Sequence, residues 1–180
     1  MEGEIREVYL RLEDYRIAMD RLFAKAMDLP LRRYVLTYLL GATGRRLSEA
    51  LSLTTRDILV EQKQIVWRIL KKRRDYVLAL PASDKTMRLL TRYIVFNGIS
   101  DRLFPISRRQ GWVDVKKTLG ELGLHGWRPH SLRHAFILEA LVRTKNIELV
   151  RRWVAHSSYS MLLEYARVVG IDFDRPIVEF

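Results

Sequence analysis

Two short runs, QIVWRIL at 64–70 and YVLAL at 76–80, read as strands: they are β-branched and apolar, and too brief for helices. They flank KKRRD at 71–75, which suggests a hairpin despite the absence of the Asn-Gly or glycine signal such turns usually carry. A single hairpin leaves helices to build the core. The expected class is therefore α+β, mostly α-helical, with a small antiparallel β-sheet or hairpin.

Helical periodicity fills the rest. Residues 4–26 predict one charged amphipathic helix, with Ile5, Val8, Leu12, Tyr15, Met19, Leu22 and Phe23 on one face, ended by Leu29-Pro30. LRRYVLTYLL predicts a helix over about 31–40 that stops at Gly41. GATG then makes a turn before RRLSEALSL starts the next helix. SDKTMRLLTRYIVFNG has an N-cap signal at its head and Asn-Gly at its end. RRQGWVDVKKTLGEL, PHSLRHAFILEALVR, NIELVRRWVA and SYSMLLEYARV follow as separate helices, and VGIDFDRPIVEF reads as an extended tail.

Composition narrows the function. The 180 residues suffice for one domain, and an apolar content of 48% excludes a largely disordered chain. Lys plus Arg number 32 against 21 Asp plus Glu, a net charge of +11 that points to a polyanion, most often nucleic acid. Without cysteine there is no disulfide, thiolate metal site or cysteine nucleophile. No apolar run approaches the ~18 residues of a membrane span, and the N-terminus is too charged for a secretory signal. A cytoplasmic protein is expected.

Three stretches carry chemistry. In RPHSLRHAF (128–136), Pro129 suits a first helical turn, so His130, Arg133 and His134 share a face near amides that favour an anion. A metal site at His130 and His134 lacks the HExxH glutamate and a third ligand, while His134 could equally pack inward. In VAHSSYSMLLEYARV (154–168), His156 precedes a Ser-Ser turn, and Tyr165 and Tyr159 compete as the notable tyrosine. In GATGRRLSEALSL, Arg46 and Glu49 at i, i+3 could face each other at a helix start, by themselves a surface pair of little worth.

The order of these stretches resembles the catalytic domain of tyrosine recombinases, the group that includes phage and archaeal viral integrases and Xer-type resolvases. ATGRRLSEALSL is similar to the family's first-arginine box, HSLRHAF to its HxLRH box and VAHSSYSMLLEY to its final box. The resemblance implies Arg46, His130, Arg133 and His156 as active-site residues, with Glu49 as an acidic companion and His134 as support. It implies Tyr165 as nucleophile, because the interval after His156 decides against Tyr159. The hairpin position implies Lys71, with Lys72 close behind, as the catalytic lysine. Residues 28–168 would form the catalytic domain, 1–27 an N-terminal helix or linker, and 169–180 a tail able to dock on a neighbouring protomer. The implied activity is cleavage and rejoining of double-stranded DNA through a 3′-phosphotyrosyl link, with neither cofactor nor metal.

The sequence departs from the family in two boxes: Ala155 stands where the family has glycine, and the hairpin lacks its customary glycine. There is no room for the core-binding domain that normally completes a clamp on DNA, so the chain reads as a catalytic fragment of a longer integrase. Rival readings are a type IB topoisomerase-like enzyme and an inert DNA-binding module; a metal-dependent nuclease lacks an acidic cluster at ligand spacing. Arg68, Arg73, Arg74, Arg108, Arg109, Lys116 and Lys117 are expected on a DNA-facing surface.

Overall fold

The computed structural model describes residues 2–69, 76–155 and 159–171. Helices dominate, with one small sheet, as the hairpin argument requires. The predicted first helix is two, α1 (Glu2–Leu10) and α2 (Leu12–Asp28), joined at Arg11, whose backbone leaves helical geometry at φ −111°, ψ 20°. There the Arg11 guanidinium donates to the carbonyls of Gly123 and His125 at 3.2 and 3.4 Å. The apolar stripe nevertheless runs through both helices, burying Ile5, Val8, Leu12, Tyr15 and Leu22.

The central element is α3 (Arg32–Thr43), buried along nearly all of its length from Val35 onward. It continues past Gly41 and ends at Gly44 instead. A Cβ on Gly41 would displace the thioether end of Met19 of α2, and Tyr15 Oη donates to the Gly41 carbonyl at 2.9 Å, so this glycine sits inside the helix against α2 rather than ending it. Gly44 supplies the stop, with φ of 65° and its N–H bonded to Leu40 O at 2.9 Å. Any Cβ there would strike the Phe136 ring. Backbone conformation and packing thus both demand glycine.

After α4 (Leu47–Leu51) the chain forms an antiparallel sheet of β1 (Ile58–Leu59), β2 (Gln64–Ile69) and β3 (Tyr76–Pro81), in that order. Ile65, Trp67 and Ile69 alternate inward along β2, and Ile69 pairs with Tyr76. Residues 70–75 of the expected hairpin turn, including Lys71 and Lys72, lie outside the described residues.

The remaining helices begin where side-chain caps allow. Ser83 Oγ accepts from Thr86 N at 3.2 Å before α5 (Asp84–Asn97). Ser107 Oγ accepts from Gln110 N at 3.1 Å before α6 (Arg108–Glu121), and Pro129 opens α7 (Pro129–Thr144). Asn146 Oδ1 accepts from Leu149 N at 2.9 Å before α8 (Ile147–Trp153), and α9 (Tyr159–Val168) follows. Helix α3 packs against α2, α5, α6 and α7, while α1 and α9 lean on α7. Among the described residues no helix is long and apolar enough to cross a membrane.

These two roles of Gly44 separate experimentally. Gly98 also has positive φ (60°), but a Cβ there meets nothing. Gly98→Ala should cost about 1 kcal/mol from the left-handed backbone alone. Gly44→Ala should cost about 2–4 kcal/mol, since displacing an aromatic ring adds an overpacking penalty. Urea midpoints at constant m-value give both numbers; equal costs would show that Phe136 yields freely.

Candidate active site

A cleft of about 380 Å³ opens between the start of α4, helix α6 and the head of α7. Arg45, Arg46, Arg108, Arg128, His130 and Arg133 contribute to its lining, with Trp112 beside them. Two of the three sequence boxes therefore meet at one place although more than eighty residues separate them. A larger hollow of about 850 Å³ over α5 contains none of the predicted site residues.

The Arg46–Glu49 pair forms, but it is not the surface pair that sequence alone allows. Glu49 is fully buried. Its Oε2 accepts from the Arg46 backbone N–H at 3.1 Å and its Oε1 accepts from Arg46 Nη1 at 3.2 Å. One carboxylate thus fixes both the first turn of α4 and the direction of the Arg46 side chain, whose outer part remains 41% exposed toward solvent. Removing one partner of such a pair strands a buried charge, a loss of several kcal/mol rather than tenths.

Arg133 is buried and donates from Nη1 to Gly44 O at 2.6 Å and from Nη2 to Val154 O at 3.0 Å. It therefore pins the turn before Arg46 and the end of α8 to α7. Burial, followed by the nearby Arg46 charge, pushes its pKa down to about 10, so the guanidinium is still cationic at neutral pH.

His130, Arg133 and His134 share a helix face, yet they have different neighbours. His130 is exposed at the cleft, and burial of part of its ring is the first cause of a lowered pKa, ahead of three arginines that act the same way. His134 turns inward. Its Nδ1 lies 2.5 Å from Tyr165 Oη, while its Nε2 sits 3.9 Å from Glu4 Oε1 of α1. A proton on Nε2 would face that carboxylate and leave Nδ1 to accept the tyrosine O–H. Burial, then His130, lowers the His134 pKa to about 4, so the ring is neutral at pH 7.

Tyr165 lies on α9 and is only 1% exposed. Burial raises its pKa to about 12, with Arg133 opposing the rise. Its hydroxyl is protonated and stored against α7; it does not line the cleft. Tyr159, by contrast, is half exposed at the start of α9. His156 lies outside the described residues, but Ala155 before it has φ of 50°. The departure from glycine at this position thus loads the backbone, since left-handed geometry costs an L-residue roughly 1–2 kcal/mol.

Two residues escaped the sequence reading. Arg45 lines the cleft and is buried beside Glu49, at the i, i+4 spacing that a closer look at GRRLSE makes visible. Glu4, which pairs with Arg128 at 3.1 Å, carries no local signal because its partner is 124 residues away.

The sequence model of the phage integrase family matches residues 15–169. The chain is 29% identical over 160 residues to tyrosine recombinase XerD of Corynebacterium glutamicum, covering 81% of this chain and 51% of that protein. It is 29% identical over 131 residues to tyrosine recombinase XerA of Saccharolobus solfataricus, covering 73% and 44%. The chain thus spans about half the length of the curated relatives it matches. Its fold is similar to a solved XerA recombinase (TM-score 0.68, 20% identity, 82% of this chain and 56% of that one). It is also similar to the catalytic domain of bacteriophage HP1 integrase (TM-score 0.62, 22% identity, 84% of each).

The neutral His134 makes a stability prediction. Its folded pKa of about 4 lies below the ordinary 6.5, so below pH 6.5 the unfolded chain binds a proton that the folded one refuses. This contribution is favourable above pH 6.5 and is lost as pH falls toward 4, by about 3 kcal/mol at most. In His134→Gln the slope of unfolding free energy between pH 6 and 5 should be shallower by about one proton. An unchanged slope would mean that His134 titrates normally.

Proposed function

The chain belongs to the phage integrase family, and from that premise we propose that it is the DNA-cleaving part of a tyrosine site-specific recombinase, with residues 28–168 as its catalytic unit. The observation that carries this reading is the convergence of Arg46, His130 and Arg133 on one cleft, with Tyr165 one side-chain layer behind.

Cleavage of a phosphodiester needs an oxygen nucleophile, cationic donors on the nonbridging oxygens and a proton for the leaving oxygen. Arg46 and Arg133 present planar, permanently charged donors for those oxygens. His130 is the proposed group that exchanges a proton with the attacking hydroxyl once Tyr165 has entered the cleft. Tyr165 Oη attacks phosphorus, forming a 3′-phosphotyrosyl link as the bond to the 5′-oxygen breaks, and that oxygen leaves protonated as a 5′-hydroxyl. Lys71 is the proposed donor of this proton, with His156 adding a hydrogen bond to the phosphoryl oxygens. Attack by the 5′-hydroxyl of another strand reverses the steps and rejoins DNA without an external energy source.

Because Tyr165 is buried against His134, the reaction requires α9 to shift and carry the hydroxyl into the cleft. Double-stranded DNA is the proposed partner, and self-association on DNA through residues 169–180 is part of the same proposal.

The deciding experiment is a nicked suicide duplex carrying a candidate attachment site, incubated with EDTA and run on a denaturing gel. A covalent band should form with the wild type and vanish in Tyr165→Phe, which still binds DNA. A band of normal intensity from Tyr165→Phe would assign the nucleophile elsewhere. Phosphate contacts should also make log affinity fall steeply with log salt; a flat dependence would sink the DNA-surface reading.

A further inference from the structure

The cleft holds more positive charge than its own carboxylates balance. Arg45 is 1% exposed, and none of its three guanidinium nitrogens has a hydrogen-bond partner among the described residues. Among the described residues the carboxylate oxygen it comes nearest, Glu49 Oε2, is 4.0 Å away. That carboxylate is already engaged by Arg46, through the backbone N–H at 3.1 Å and through Nη1 at 3.2 Å. On its other side the Arg45 guanidinium lies 5.5 Å over the Trp67 ring of β2, an attraction that satisfies none of its N–H groups. Desolvation pulls its pKa down to about 10, and Arg46 works in the same direction.

Such a group is costly in a folded chain. A leucine or methionine would fill comparable space without burying an unpaired charge. Three guanidinium groups, those of Arg45, Arg46 and Arg133, share Glu49 as their acidic neighbour, and each is influenced by it or by the others. The arrangement becomes balanced when an anion enters the cleft and engages Arg46. Glu49 Oε1 then loses its donor, and Arg45 is the cation within reach of the freed carboxylate.

We infer that Arg45 is a positioning residue for phosphate: when a DNA phosphodiester draws the Arg46 guanidinium off Glu49, Arg45 takes over that carboxylate, and the exchange leaves Arg46 free to hold the phosphate. The inference rests on the reading of the cleft as a phosphate site. It differs from direct contact by Arg46 or Arg133 in one respect. Removing Arg45 takes away no phosphate ligand, but it leaves Glu49 bound to Arg46 alone and so strengthens the competitor of the phosphate.

The test follows melting temperature in sodium phosphate against sodium chloride, at matched ionic strength and pH 7, for the wild type, Arg45→Leu, Arg45→Met, Arg45→Lys and Arg46→Ala. Phosphate should raise the melting temperature of the wild type by linkage. Arg45→Leu and Arg45→Met should bind phosphate at least tenfold more weakly while melting no lower than the wild type in chloride. Arg45→Lys, which keeps a cation, should recover most of the phosphate response. A short DNA duplex in phosphate-free buffer should rank the variants in the same order if the anion is a phosphodiester; a response to inorganic phosphate alone would overturn DNA as its source.

Wild-type phosphate affinity in Arg45→Leu, with the response abolished in Arg46→Ala, would overturn the exchange and leave the phosphate cleft standing. Lower melting of both apolar variants in chloride, or their failure to fold, would make Arg45 structural and likewise overturn it. Absence of any response in the wild type would remove the phosphate cleft itself.

Discussion

The buried guanidinium of Arg133 joins parts of the chain that local folding cannot bring together. Its two hydrogen bonds reach the Gly44 carbonyl, in the turn that presents Arg46, and the Val154 carbonyl, at the end of α8. Both acceptors are backbone atoms at helix ends, where carbonyls lack intrahelical partners. A charged donor satisfies them more strongly than a neutral one would. The carbonyls in turn hold a charge that has lost its water. Gly44 suits this turn, since its φ of 65° favours glycine and a Cβ there would strike Phe136, and its carbonyl lies 2.6 Å from Arg133. The side chain that the family resemblance implies as an active-site residue is therefore also the brace that assembles the cleft.

The charge pattern separates this region from the rest of the surface. Several arginines elsewhere meet carboxylates directly: Arg16 with Glu139 at 2.9 Å, Arg32 with Asp114 at 3.0 Å and Arg33 with Glu121 at 2.7 Å. These pairs tie α2 and α3 to α7 and α6. At the cleft Arg46 pairs with Glu49 at 3.2 Å and Arg128 with Glu4 at 3.1 Å, while Arg45 comes no nearer than 4.0 Å to a carboxylate among the described residues. Local pairing, more than the total of +11, supports the proposal that an anion enters at the cleft.

Much of this was legible in the sequence, and the reasons differ by element. The cap at Ser83 was local, a side-chain oxygen one turn before an amide, and local signals survive folding. The end of α3 was misread by three residues because two glycines competed. Only the structure shows that α3 runs through Gly41, while positive φ identifies Gly44 as the stop. Arg46 and Glu49 were found by spacing, but spacing could not say that the carboxylate is buried. The direction of His134 and Tyr165 was likewise hidden, since helical periodicity gives a shared face and not what that face meets. Lys71 and His156 rest on the family resemblance, and both lie outside the described residues.

The storage of Tyr165 has a consequence for specificity. If Tyr165 is the nucleophile proposed above, a cell offers it an enormous excess of phosphodiesters, nearly all of them wrong. A hydroxyl sealed beneath α1 and α7, protonated and bonded to an imidazole, is inert toward every one of them, however firmly the arginines grip. Discrimination then need not lie in the grip. On the proposed function it can be deferred to whichever encounter moves α9, so that promiscuous binding and selective cutting would coexist in one small domain.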